Sequence, residues 1–474
     1  MGTARRLLLA ALAGSATLTA PAAAQADRSI ASVDRFVRDE VRRQEIPGLS
    51  IAVLRGDRLL LARGYGLANL EHQVPATDRT IYQSGSLGKQ FTAALVLQLA
   101  DSGRLGLDVP IRRYLAEGPP RWDSVTVRHL LTHTSGIPDY TDSVVDLRRD
   151  YTEDELVRVA AGLPPMFPPG RRWSYSNTGY VLLGAIICRV SGRFYGDLLH
   201  EWIFAPLGMR TARIISEADI VPNRSDGYRR VNDTLKHQEW VSPALNTTAD
   251  GSLYLTVRDL ARWATSLNHS RVLSPSDLAQ AWTPVRLDDG GTYPYGFGWM
   301  LDPVRGHARV GHTGSWQGFR TSIERFPESG LSVIVLANSA EAEPRSIALG
   351  VAGLLEPSLV PPHRLTAPLP GPAPPVPADS VLHALADDSA SALFTPGLRR
   401  FLSPAERGDW RELAAEIARW TALGCDRANG SVERLGARIA RWCYARGEGA
   451  GGGVVITLSY TGDWQLADAD SYRY

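Results

Sequence analysis

The stretch Ser86-Leu-Gly-Lys-Gln-Phe-Thr-Ala-Ala-Leu-Val-Leu-Gln-Leu99 decides how this sequence is read. Leu87, Phe91, Ala94, Leu95 and Leu99 recur at helical spacing, and Gly103 stands where a helix would stop. Ser86 then falls in the first turn, and Lys89, three residues on, shares its face. Backbone N–H groups in a first turn lack intrahelical partners, and the helix dipole favours negative charge there. The place suits a serine oxygen that becomes negative, with a basic amine one turn away. Lysine usage sharpens the point. Of 51 basic residues only Lys89 and Lys236 are lysines. Arginine cannot be deprotonated, whereas a desolvated lysine can serve as a base. Lys89 therefore reads either as the proton acceptor for Ser86 or as a cation that stabilises a tyrosinate base, and both routes ask for a nearby tyrosine. The plain alternative is a surface serine and lysine on an amphipathic helix.

Tyr175-Ser-Asn177, just before the apolar run Gly179–Val190, offers that tyrosine. Residues two apart in an extended loop point the same way, so the Tyr175 phenol can handle protons while the Asn177 amide holds a substrate carbonyl. His312-Thr-Gly-Ser315 supplies a third piece, a strand end whose small residues allow close approach to a ligand. There His312 could orient the tyrosine or bind a substrate carboxylate, and Thr313 could donate a hydrogen bond. The Ser315 N–H could complete an oxyanion hole with the Ser86 N–H. Taken singly, Tyr-x-Asn and a strand-end histidine are weak signals. His129 and His133 are four apart, but the residues between them are Leu130, Leu131 and Thr132, without the glutamate of a zinc-protease motif. No metal and no cofactor is expected. A Gly-x-Ser-x-Gly elbow is absent as well.

Around this constellation, Leu49–Leu54, the turn Arg55-Gly-Asp57 and Leu59–Ala62 read as a β-hairpin. Phe319–Phe326 and Leu331–Ala337, joined by Pro327-Glu-Ser-Gly330, read as a second antiparallel pair. Helical segments dominate between them. The expected fold class is α/β in the α+β sense: a mainly antiparallel sheet built from both ends of a body at residues 28–358, flanked by helices. Pro361–Pro377 reads PPHRLTAPLPGPAPPVP, too proline-rich for a helix or a central strand, and marks a semi-extended linker at about 359–378. Residues 379–474 form a tail expected to be a small α+β domain. There Trp410–Trp420 has helical character, and Ile456, Leu458 and Tyr460 alternate as in a half-buried strand. Cys425 and Cys443 are the plausible disulfide pair, worth about 3 kcal/mol by the chain-entropy model. Cys188, inside an apolar run, reads as a buried free thiol.

Hydrophobic residues make up 44% of the 474, enough for a substantial core. Lys+Arg is 51 against Asp+Glu 50, which leaves no basic excess for nucleic-acid phosphates or an anionic membrane surface. Residues 1–24 read as a secretory signal: Arg5 and Arg6, then the apolar Leu7–Leu12, then Pro21 before the small-residue pattern Ala22-Ala-Ala24. Ser15, Thr17, Thr19 and Pro21 interrupt the apolar part, so a stable membrane anchor is not expected. The expectation is an exported protein, periplasmic or secreted.

Ser86-x-x-Lys89, Tyr175-Ser-Asn177 and His312-Thr-Gly314, in that order, resemble the class C β-lactamase and D-alanyl-D-alanine carboxypeptidase family of penicillin-binding serine hydrolases. Tyr82-Gln-Ser-Gly-Ser86, His129-Leu-Leu-Thr-His-Thr-Ser-Gly136 and Asn177-Thr-Gly-Tyr-Val-Leu-Leu-Gly184 carry the same likeness over roughly residues 30–355. The resemblance implies Ser86 as the acylated nucleophile, Lys89 and Tyr175 as its proton-handling partners, and Asn177 as a substrate contact. It also implies a β-lactamase/transpeptidase-like sheet joined to an all-helical region that holds Tyr175. One departure bears on substrate. β-Lactamases of this class carry lysine at the position of His312, whereas histidine there looks more like D-alanyl-D-alanine carboxypeptidases, D-amino-acid peptidases and related esterases. A histidine is cationic only below about pH 6.5 unless perturbed, so β-lactam hydrolysis is expected to be weak. Arg345 is a candidate carboxylate anchor or a solvated surface arginine. The expected function is acyl transfer through a Ser86 ester on a small-molecule or peptide substrate: a peptide, an ester or a strained lactam. The rival is a receptor for penicillin or cell-wall ligands that keeps the fold without turnover. The role of the tail and the oligomeric state stay open at this point.

Overall fold

The computed structural model describes residues 22–141, 145–369, 371–387, 392–449 and 452–473. Most of the expected signal segment, residues 1–21, lies outside the described residues. Ala22–Ala24 open the first helix, α1 (Ala22–Arg43).

The two hairpins form and meet. Strands β1 (Gly48–Arg55), β2 (Arg58–Asn69) and β3 (Val74–Pro75) come from the front of the body. Its rear supplies β4 (Val310–Trp316), β5 (Phe319–Phe326) and β6 (Leu331–Ala337). Together they make one sheet in the order β4-β5-β6-β1-β2-β3, antiparallel throughout. The seam lies between β1 and β6, where Ile51 pairs with Val335.

Both faces of this sheet are covered, and period-two alternation sorts the side chains between them. Leu49, Ile51 and Val53 pack with Val33 and Val37 of α1 and with Ile347 and Val351 of the helix Pro344–Leu355. Ala52 and Leu54, with Ile323, Ile334 and Leu336, face the larger core, which contains Leu87, Phe91 and Leu95. Each such aliphatic side chain contributes about 1.5–3 kcal/mol on full burial, so the sheet is a rigid wall. The helical region shares that larger core: α2 (Lys89–Asp101), α3 (Asn177–Ser191) and the helix Val257–Leu267. α3 starts where Ser176 accepts a hydrogen bond from the Gly179 N–H, and stops at Gly192, whose φ is 70°.

The tail carries a separate four-stranded antiparallel sheet of β7 (Ile417–Arg434), β8 (Ala437–Gly449), β9 (Gly452–Tyr460) and β10 (Leu466–Arg473). Helices Ala378–Ala386, Pro396–Phe401 and Pro404–Glu416 accompany it, with their own apolar cluster. The helix expected over Trp410–Trp420 begins earlier and ends at Glu416. Ser403 and Glu406 form a capping box that fixes its start. Trp420 instead pairs with Gly447 across the sheet, and this long-range pairing overrides the local helical spacing.

Cys425 and Cys443 are joined, as expected, and are direct cross-strand partners. Cys188 is free and half-buried, with burial pushing its thiol up to about 12. The proline-rich segment opens with a 3₁₀ turn at Pro362–Arg364 and is strapped to the tail: the Leu369 N–H donates to the Leu423 carbonyl at 2.8 Å, and Arg446 donates to the His363 carbonyl at 3.4 Å. Among the described residues, no helix is long and apolar enough to cross a membrane.

Candidate active site

Ser86 sits in a tight 3₁₀ turn, Gly85–Gly88, that feeds directly into α2. Two glycines let strand β4 lie against this turn. Gly85 has φ of +53°, and a Cβ there would stand 2.5 Å from the Ser315 nitrogen. A Cβ on Gly314 would stand 2.0 Å from the Ser84 carbonyl oxygen. Backbone N–H groups of Ser86 and Ser315 thus belong to two segments in direct contact.

Lys89 is fully buried beneath Ser86. Its Nζ donates to Ser86 Oγ at 3.0 Å, to Asn177 Oδ1 at 2.7 Å and to the Asp250 carbonyl at 2.6 Å. The last two partners can only accept, so they take two N–H groups and leave the third position of the nitrogen aimed at Ser86 Oγ. Occupied by a lone pair, that position receives the serine proton; occupied by N–H, it supports the serine oxyanion. Ring faces of Tyr175 and Tyr180 lie 5.0 and 5.3 Å from Nζ.

Asn177 is oriented by Asp139. One oxygen of that buried carboxylate accepts from both the Asn177 backbone N–H and its side-chain Nδ2, each at 2.9 Å, which turns Oδ1 toward Lys89. Tyr175 Oη is buried and has no hydrogen-bond partner among the described residues. Its ring packs 4.3 Å from the His133 ring.

A cleft of about 440 Å³ opens over these groups. Of the eight residues singled out from sequence, Ser86, Tyr175, Asn177 and Ser315 line it, and Lys89 lies under its floor. His312, Thr313 and Gly314 do not line it. His312 is 1% exposed, with Nε2 bonded to Tyr295 Oη at 2.9 Å and Nδ1 to the Thr313 carbonyl at 2.6 Å. Burial holds its pKa down to about 3, with the Lys89 and Arg309 charges acting the same way. Arg345 is elsewhere, at a second cavity between body and tail, where it pairs with Asp302 at 2.6 Å. Arg320 of β5 is the arginine that enters the cleft without an ion pair among the described residues. It donates to Ser315 Oγ and to its neighbour's carbonyl. Arg229, also lining the cleft, is paired with Glu239 at 3.0 Å.

No described tail residue lines the cleft. The tail instead touches the loop that carries Tyr175: Arg172 pairs with Glu406 at 2.9 Å, and Trp173 stacks on Tyr293, which in turn packs against Phe401.

The beta-lactamase family model matches residues 33–355. The chain belongs to the beta-lactamase family. Among its relatives in that family is the penicillin-binding protein 4* of Bacillus subtilis, 32% identical over 63% of this chain and 69% of that one. A D-aminopeptidase of Gluconobacter oxydans is 30% identical over 64% of this chain, and the match spans 59% of its length. Among solved structures, the octameric penicillin-binding protein homologue of Pyrococcus abyssi aligns over 94% of this chain and 96% of its own, at 25% identity and a TM-score of 0.63. That coverage takes in most of the tail. Beta-lactamase-fold relatives of this kind are serine hydrolases, and so is this protein.

Sequence reading missed Asp139, Asp250, His133 and Tyr295. Asp250 contributes through a backbone carbonyl, which no residue type announces. His133, weighed from sequence only as half of a metal pair with His129, does carry a signal: it stands alone among small residues in Thr132-His-Thr-Ser-Gly136.

Proposed function

We propose that the protein is an exported acyl-transfer hydrolase that works through an ester on Ser86 and prefers peptide or amide substrates ending in a free carboxylate. The carrying observation is the 3.0 Å approach of Lys89 Nζ to Ser86 Oγ, with the other two acceptors fixed. Lys89 takes the Ser86 proton as Oγ attacks the substrate carbonyl. The developing oxyanion lies against the Ser86 and Ser315 N–H groups. The C–N or C–O bond breaks, and the leaving group receives its proton from the Tyr175 phenol, whose Oη has no competing partner. Water then attacks the Ser86 ester and gives its proton to the Tyr175 phenolate, while Lys89 returns its proton to Ser86 Oγ as the acid leaves, so that all three groups regain their starting forms.

Charge in the cleft supports the carboxylate preference. An aminopeptidase must bind a substrate ammonium, but the acid lining this cleft, Asp250, is held by Tyr140 Oη at 2.9 Å and by Thr248. Arg320 is half-buried and makes no ion pair among the described residues; burial presses its pKa below the ordinary arginine value, while Glu343 and Glu341 act on it the other way from a distance. A substrate carboxylate would complete it.

Exposure to a fluorophosphonate or penicillin, followed by peptide mass mapping, should find the adduct on Ser86 and none in Ser86→Ala. An adduct that persists in that variant refutes the nucleophile. Binding of a D-Ala-D-Ala peptide without turnover would favour the receptor reading. Export is supported by the pattern of residues 1–24 and is tested by N-terminal sequencing of protein recovered outside the cytoplasm.

A further inference from the structure

Beneath the cleft runs a set of hydrogen bonds that the chemistry above does not use. The Ser176 N–H donates to His133 Nδ1 at 3.1 Å. His133 Nε2 lies 3.2 Å from Tyr295 Oη, which lies 2.9 Å from His312 Nε2, and His312 Nδ1 lies 2.6 Å from the Thr313 carbonyl. Both ends are one-way: a backbone N–H can only donate and a carbonyl can only accept. The chain therefore has a single consistent direction. His133 carries its proton on Nε2 and gives it to Tyr295. Tyr295 gives its own to His312 Nε2, and His312 carries its proton on Nδ1. The two histidines must be opposite neutral tautomers.

We propose that His133, Tyr295 and His312 are positioning residues, forming a directed hydrogen-bond strut that fixes the Tyr175–Asn177 loop on one side of the Ser86 cleft relative to the strand segment that carries Ser315 on the other. Ser176, at one end, sits between the proton-handling Tyr175 and the Lys89 partner Asn177. Thr313, at the other, stands two residues before the Ser315 N–H. The three side chains are 0–1% exposed, so solvent cannot replace any link. A second, separate observation points the same way. His133 holds a left-handed φ of 58°, uncommon for a residue with a side chain, and from that position its ring also packs on Tyr175. Burial keeps both imidazoles neutral, and the Lys89 charge acts with it on each. The charged or titratable groups facing the strut are Lys89 from α2, Arg309 just before β4, Tyr175 from its loop, Tyr180 from α3, and Tyr293 two residues before Tyr295. None is an acid that would draw a proton onto either ring.

The kinetic part of the test rests on the Ser86 reading; the spectroscopic part does not. Nitrogen NMR of histidine-labelled full-length protein, with the His133 and His312 signals assigned by their loss in His133→Gln and His312→Gln, should show both rings neutral from pH 5 to 8, His133 protonated on Nε2 and His312 on Nδ1. Tyr295→Phe keeps the ring and removes the central hydroxyl, so the Nδ1-protonated signal should shift or begin to titrate. With a chromogenic ester, Tyr295→Phe should lose at least about tenfold in kcat with KM changed less than twofold, because transition-state geometry rather than binding is disturbed. Adding His133→Gln to Tyr295→Phe should cost little more, as expected for members of one unit. Two Nε2-protonated rings, an unchanged kcat in Tyr295→Phe, or additive losses in the double variant would each overturn the strut. A wild-type protein that turns over no ester or peptide would count against the Ser86 reading, and the tautomer pair would still decide the strut.

Discussion

Gly314→Ala tests whether the contact between strand β4 and the Ser86 turn sets the reaction geometry. The new methyl would lie 2.0 Å from the Ser84 carbonyl oxygen and 2.2 Å from Thr321 Oγ1. Thr321 Oγ1 is buried and donates to that same carbonyl at 2.7 Å, and Ser84 is held in turn: its N–H donates to the Leu253 carbonyl at 2.8 Å and its hydroxyl to the Gly251 carbonyl at 2.6 Å. Real Cβ atoms essentially never approach closer than 3.0 Å, so β4 must retreat by about 1 Å. The Ser315 N–H retreats with it. A 1 Å misplacement of a reacting or stabilising group costs on the order of 10²-fold in rate, whereas an added methylene in a packed interior costs about 1–3 kcal/mol of stability. The expected outcome is a folded protein, melting somewhat lower, whose kcat on a chromogenic ester falls about 100-fold. Because no left-handed φ is required at Gly314, the effect is steric and not conformational. A variant with kcat within threefold of the parent would refute the claim that the oxyanion wall is set by this contact.

Lys89→Arg keeps the charge but cannot accept the Ser86 proton, and should lower kcat by about 10²–10⁴-fold in steady-state assays; retained turnover would remove Lys89 as the base. Replacing Cys443 with serine opens the link to Cys425 across 18 residues and should cost the tail about 3 kcal/mol, read by denaturant titration with and without reductant. Asp468 lies at the cavity between body and tail, where burial raises its carboxyl to about 7 from an ordinary 3.8. The native state thus holds this proton more tightly than the unfolded chain does. Its contribution to stability is complete below about pH 4 and falls away as pH rises to about 7. With the side chain 24% exposed, roughly 2–4 kcal/mol is at stake. Asp468→Asn should flatten that slope, and an unchanged stability–pH curve would contradict it.

The parts of the fold written in short-range pattern were legible. Apolar runs separated by Gly-containing turns gave the two hairpins, and β5 and β6 occupy the residues expected of them. Ser86 and Lys89 could be paired because three residues in a helical turn must share a face. Their remaining partners could not be paired in this way. Asn177 and Asp250 lie 88 and 161 residues from Lys89, and the second acts through its backbone. Arg345 and Arg320 show the same limit from the other side. Arg320 lies within β5 and Arg345 after β6, and only the long-range packing of the body decides that Asp302 takes one while the cleft receives the other.

His312 is the instructive case, because the information was present and needed one more step. In β4 successive side chains alternate between faces. His312 and Gly314 are buried, while Thr313 is half-buried and Ser315 exposed. Placing Gly314 against the Ser86 turn therefore commits His312 to the same inward side, away from substrate. A cation at that position would be buried, so a neutral imidazole with both nitrogens bonded is the form the fold can hold. The influence of His312 on the reaction must then pass through the backbone it grips. Replacing it with lysine should bury an uncompensated charge beside Lys89 and Arg309 rather than install a carboxylate anchor. Such a variant should lose stability without gaining β-lactam turnover, measured by thermal melting and nitrocefin hydrolysis; a stable His312→Lys variant with raised nitrocefin turnover would show that the side chain reaches the cleft after all.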